Sequence, residues 1–226
     1  MTLLDISPSL DHPVRPVTAR FPAREADEAD FRDHARRWRK ALRGARLVYF
    51  GRPPLTTGVA RWACDEGLGI GVRSAGELVV ALAAGTDPSR IVAGPGSPEL
   101  LRDAVAAGVG RIVLDSPVEA PHVAGKARRG SARATFDLVG LHCRPDSSGT
   151  RAGYGEAIRR TVAAMADIRA RHGLILTEVH LDPDGVGGPQ LGAAELAAMV
   201  EDALDEACAA EHFPRPVVVV GVTLAG

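Results

Sequence analysis

The stretch that decides the fold class begins with Leu47-Val48-Tyr49-Phe50. It continues through Gly51 into a segment from Thr56 to Glu66, and ends with a second apolar run from Leu68 to Val72. Short apolar runs bounded by glycine read as buried strands, and the segment between them has the length and spacing of an amphipathic helix. The same unit recurs along the chain. Ala75 to Ala84 reads as a helix, Ile91-Val92-Ala93 as a strand, Pro98 to Ala107 as a helix and Ile112-Val113-Leu114 as a strand, with a short helix after Pro117. A strand from Leu138 to Cys143 then precedes a long helix from Ala152 to His172. Thr177 to Leu181 precedes a helix from Ala193 to Ala210, and Val217 to Val220 is the seventh run. Strands and helices alternating at this spacing imply a parallel sheet with helices outside it. Both a closed barrel and an open doubly wound sheet satisfy that pattern.

Upstream, Phe31, Ala35, Trp38 and Leu42 fall on one helical face, so a helix is expected from Asp27 to Arg43, stopped by Gly44. Residues 1–26 carry Pro8, Pro13, Pro16 and Pro22 without a clear period and read as an irregular leader; residues 27–226 read as one domain. The 226 residues are 46% hydrophobic and 24% charged, ordinary usage for a globular chain, and the net charge of −1 argues against nucleic acid or a membrane surface as partner. No apolar run approaches the roughly 18 residues of a membrane span. Residues 1–9 lack the basic and apolar regions of a signal peptide. Cys64, Cys143 and Cys208 are odd in number and widely spaced, as expected of reduced thiols in a cytoplasmic protein. Lys40 and Lys126 are the only lysines.

Motif order favours the barrel. Tyr49-Phe50-Gly51-Arg52 stands where alanine-racemase-like decarboxylases carry Tyr-Ala-x-Lys. Thr56-Thr57-Gly58-Val59-Ala60-Arg61-Trp62 and Asp65-Glu66-Gly67-Leu68 resemble actinobacterial diaminopimelate decarboxylases. Val72-Arg73-Ser74-Ala75-Gly76-Glu77-Leu78 is similar to the family's Asp-Val-x-Ser-x-Gly-Glu-Leu, and Gly140-Leu141-His142-Cys143-Arg144 to its Gly-Leu-His-Cys-His. The resemblance covers about residues 27–226. It implies the (β/α)8 TIM-type barrel of the pyridoxal-phosphate-dependent decarboxylases, here degenerate. About seven parallel strands are expected, because too few residues lie between Ser116 and Leu138 for a further strand. A barrel missing a strand is expected to leave a gap or a partly open sheet. The family's C-terminal β domain, which completes its active site across a dimer, is expected to be lacking after Gly226.

The same resemblance locates departures from the parent chemistry. The family's lysine holds the cofactor as an imine; Arg52 replaces it, and a guanidinium neither deprotonates nor condenses with an aldehyde. The family's second-strand aspartate is Gly71, and its ring-stacking histidine is Arg144. Its Ile-Gly-Ser reads Pro145-Asp146-Ser147, leaving Ser147 as a phosphate contact. Its glycine loop reads Asp182-Pro183-Asp184-Gly185, and its Glu-Pro-Gly-Arg reads Val219-Val220-Gly221-Val222. Carboxylates where a phosphate would sit should repel it.

The expectation is a decarboxylase-like barrel that has lost pyridoxal-phosphate-dependent decarboxylation and binds a small ligand or protein partner, with no cofactor. Arg52, His142, Arg144, Asp182 and Asp184 are candidate catalytic or ligand-binding residues; Ser147, Gly185 and Gly221 are the remaining cofactor-type positions. Two alternatives stay open: a repurposed, cofactor-independent enzyme using these strand-end residues, and a residual decarboxylase. Homo-oligomerisation is also open. Arg52 could clamp an anion, and His142 with Cys143 has the residue types of a base and a nucleophile. His142, His180 and Asp182 have metal-ligand chemistry at a spacing that permits but does not specify a site, and no metal is expected.

Overall fold

The computed structural model describes residues 27–51, 54–94, 97–117, 137–145, 151–181 and 193–222. The expected leader and the short helix after Pro117 lie outside them. The first four α-helices each start on a polar cap. Asp27 accepts from Ala29 N and Asp30 N to start α1 (Glu28–Ala41), and Thr56 accepts from Val59 N to start α2 (Thr57–Asp65). Ser74 and Ser97 do the same for α3 (Ala75–Ala83) and α4 (Pro98–Ala106). At the other end of α2 and α3, Gly67 and Gly85 take φ values of 77° and 84°, where a side chain would be strained.

Between these helices run β1 (Arg46–Tyr49), β2 (Gly69–Val72), β3 (Ile91–Ala93) and β4 (Arg111–Leu114). Beyond them come β5 (Asp137–Cys143), α5 (Arg151–His172), β6 (Glu178–Leu181), α6 (Ala193–Ala210) and β7 (Val217–Val222). The seven strands are parallel and form a closed barrel in chain order. The expected gap is absent. β4 pairs directly with β5, with a register shift between Ile112 and Val113, and β7 pairs with β1 over Arg46 to Tyr49. The bulge absorbs the mismatch that the shorter chain leaves between the fourth and fifth strands.

Alternate strand residues separate into two buried clusters. Leu47, Tyr49, Ile70, Val72, Ile112, Leu141, Val179 and Val220 pack outward with helix residues such as Phe31, Val59, Ile158 and Leu204. Val48, Phe50, Val92, Val113, Val139 and Val219 cluster apart from the helices and fill the barrel interior. The lower interior is charged. Glu178, at the start of β6, lies with its side chain 4% exposed and pairs with both Arg46 and Arg111 at the starts of β1 and β4. Its second oxygen, Oε2, lies 2.9 Å from His180 Nε2. Gly140, the register partner of Glu178, has no room for a side chain, since a Cβ there would overlap the Glu178 backbone.

Burial, aided by the Arg46 guanidinium, pushes the His180 pKa down to about 3. Two guanidiniums already hold Glu178, so the carboxylate does not pull His180 towards its charged form; neutral His180 donates through Nε2. The unfolded chain protonates this residue at about 6.5, so between those values it binds one more proton than the folded chain. Stability should therefore fall as pH drops below about 6.5, by up to about 1.4 kcal/mol per pH unit. Glu66, whose pKa Arg36 and Arg32 lower, adds its own loss only nearer the ordinary carboxylate range. Urea unfolding at pH values from about 7 to 5 should show a shallower decline for H180Q than for the natural chain; equal slopes would remove His180 from the account.

Candidate functional site

The C-terminal ends of parallel barrel strands form the mouth, where such folds carry their sites. Phe50 follows the last residue of β1, and its 4%-exposed side chain turns inward. A Cβ on Gly71 would overlap the Phe50 ring, and one on Gly94 would lie 3.6 Å from it. The ring thus occupies the space that a side chain at position 71 would need. His142 meets it edge-on with ring centroids 6.4 Å apart, and the Arg73 guanidinium sits 5.0 Å from its centroid. A guanidinium over an aromatic face is attracted by the ring quadrupole, so Arg73 holds the plug from above. Farther out, Arg144 forms an ion pair of 2.9 Å with Asp115, joining the ends of β5 and β4.

The sequence-derived candidates are partly brought together. His142 and Arg144 are alternate residues on the same stretch, and both face the barrel axis side of β5, His142 buried and Arg144 at the rim. Gly221 lies buried in β7 as the register partner of Val48. Arg52, Ser147, Asp182, Asp184 and Gly185 lie outside the described residues. His142 and Cys143 point to opposite faces: Cys143 packs with the outer core, and burial pushes its thiol pKa up to about 11. They therefore form no nucleophile–base dyad. His142 and His180 are register partners on β5 and β6, yet no cluster of three or more metal-type side chains occurs among the described residues. Sequence reasoning missed Phe50 and the Glu178 network. The available signal was phase: Arg46, Val48 and Phe50 alternate, as do Arg111, Val113 and Asp115, and each set shares one face.

This barrel, with its strand order and helix-capped mouth, belongs to the pyridoxal-dependent decarboxylase family: residues 28–216 match the family's pyridoxal binding domain. Its relatives include a diaminopimelate decarboxylase of Actinosynnema pretiosum subsp. auranticum, 30% identical over 90% of this chain and 58% of the relative. The diaminopimelate decarboxylase of Mycobacterium leprae (strain TN) is 45% identical over 96 residues, 41% of this chain and 20% of that protein. Among solved structures, the diaminopimelate decarboxylase from M. jannaschi superposes with a TM-score of 0.66 at 15% identity, covering 86% of this chain and 59% of the other. A lysine/ornithine decarboxylase from Vibrio vulnificus, complexed with putrescine, gives 0.63 at 19%, covering 86% and 61%. Such identities establish the shared fold alone. The chain spans less than two thirds of the length of these relatives.

The described inner wall does not fit pyridoxal phosphate. No lysine lies on it: Lys40 is on the exposed side of α1, one residue from the helix end that leads into the start of β1, at the far end of the barrel from the mouth. Lys126 lies outside the described residues. The space beside Gly71 and Gly94 holds the Phe50 ring. Among the described residues, no helix is long and apolar enough to cross a membrane.

If Phe50 and Gly71 are complementary, G71A should cost about 1–3 kcal/mol through overpacking. In an F50A background the same change should cost much less, giving a coupling of about 1 kcal/mol or more in a double-mutant cycle. Additive losses in denaturant unfolding would mean that the ring does not fill this space.

Proposed function

We propose that this chain is a diaminopimelate/ornithine decarboxylase-like barrel that has lost pyridoxal-phosphate-dependent decarboxylation and retains a binding role at its mouth. The observation that carries this reading is the Phe50 ring packed over Gly71. It supports a loss that is steric as well as chemical. Arg52 removes the amine from the wall, while Phe50 removes the volume beneath it. Either change alone leaves a short mutational route back to the parent site; together they make that route long.

The binding partner that suits the mouth is a small anionic molecule. Arg73 and Arg144 project from the described wall, and Arg52 follows Phe50 by two residues. Guanidiniums remain charged and can engage carboxylate or phosphate bidentately. Asp115 shares Arg144 and would set how strongly an anion must compete. A cytoplasmic setting accords with this reading and with free thiols at Cys64, Cys143 and Cys208.

Purified protein titrated with pyridoxal phosphate should develop no imine band at about 420 nm. Borohydride should fix no cofactor to the chain, and diaminopimelate, ornithine and lysine should yield no carbon dioxide. A band fixed by reduction to Lys126 or Lys40, or cofactor-dependent carbon dioxide release, would restore an enzyme and overturn the reading.

A further inference from the structure

The barrel has a second concave surface, at the end opposite the mouth. An open surface groove of about 530 Å³ lies where α1 runs into β1, bordered by the starts of β1 and β7. Three arginines line it, Arg39, Arg43 and Arg46, together with Leu42, Leu47 and Val217. Ligand pockets commonly fall in this size range and combine apolar lining with a few convergent polar groups.

Among the described side chains that face this end, positive charge outweighs negative. Arg46 shares the single carboxylate of Glu178 with Arg111, and Glu178 also accepts from His180. Arg39 spends one donor on the Glu66 carbonyl oxygen at 2.8 Å, which caps α2 but adds no negative charge. Arg43 is exposed and has no hydrogen bond or ion pair with any described residue. Glu201 on α6 lies beside Gly44 and already pairs with Arg215, which Asp205 also contacts. Arg39, Arg43 and Arg46 thus line this end, and among the described side chains Glu178 is the one carboxylate that pairs with any of them. The negative end of the α1 dipole accounts for cations in its last turn, such as Arg39. It does not account for Arg43, beyond the C-cap, or for Arg46, in the strand.

From this arrangement we infer that the base of the barrel is a binding site for a small phosphate ester. The phosphate is clamped by Arg43 with the spare donors of Arg39 and Arg46, and the organic body rests on Leu42, Leu47 and Val217. A phosphoryl group offers terminal oxygens to several guanidiniums at once. The groove exceeds what a bare phosphate needs, so the ester's body supplies the rest of the contact. This site is independent of the mouth, because it shares none of its residues.

The test is calorimetric titration of the full chain with phenyl phosphate and with inorganic phosphate. Phenyl phosphate should bind saturably and more tightly than inorganic phosphate. R43A should weaken it by about tenfold or more while unfolding at the same denaturant concentration as the natural chain, since Arg43 has no described partner to lose. R144A, at the opposite end, should keep the R43A-sensitive binding unchanged, whatever separate anion binding it removes at the mouth. Three results would overturn the proposal: no saturable binding of phenyl phosphate, equal affinity in R43A, or loss of the R43A-sensitive binding in R144A. The last would move the anion site to the mouth and leave the mouth-binding reading intact.

Discussion

The pairing of β7 with β1, from Arg46 opposite Val219 to Tyr49 opposite Val222, closes seven strands into a ring. Barrel diameter grows with strand number, so this ring encloses less room than an eight-stranded one, and its inner face must be built accordingly. Glycines at 69, 71 and 140 stand in phase with the inward residues of β2 and β5, and each sits against a neighbour that leaves little or no space for a Cβ. The room they release goes to a few large side chains. Below, it admits the carboxylate of Glu178 with its two guanidiniums and His180; above, it admits the ring of Phe50. Between them lie Val48, Val92, Val113, Val139 and Val219.

The two filled ends differ in what they do. The Glu178 cluster is a buried ionic group, costly to assemble and more costly to break, because removing the carboxylate would strand Arg111 in the interior. It ties together three strand starts, those of β1, β4 and β6. At the Phe50 end the ring closes the volume over Gly71. Under the proposed reading, Arg52 in place of a lysine, Gly71 in place of an aspartate and the Phe50 ring belong to one change.

Much of this fold was legible before any coordinates. The seven runs and the helices that fall among the described residues appear within one or two residues of expectation, because helical periodicity and glycine stops are local signals. Barrel closure was less legible. An open sheet and a barrel share the same local pattern, and the bulge between Ile112 and Val113 that brings β4 against β5 depends on pairing between distant segments. At the mouth, what could be read in advance was a departure from the family's motifs, Arg52 in place of a lysine above all. The role of Phe50 could not, since it acquires meaning only when β1 and β2 are placed side by side and Gly71 is seen beneath the ring. The ion pairs of Glu178 were hidden similarly, as charges at the edges of apolar runs that could equally have faced water.

The central claim is that the Phe50 ring, and not a cofactor, fills the upper barrel. Crystals grown in saturating pyridoxal phosphate and solved at high resolution test it most directly. The account predicts the Phe50 ring in place over Gly71, Arg73 on its face and no cofactor density at the strand ends. Ordered cofactor at the mouth with Phe50 rotated away from Gly71 would contradict it.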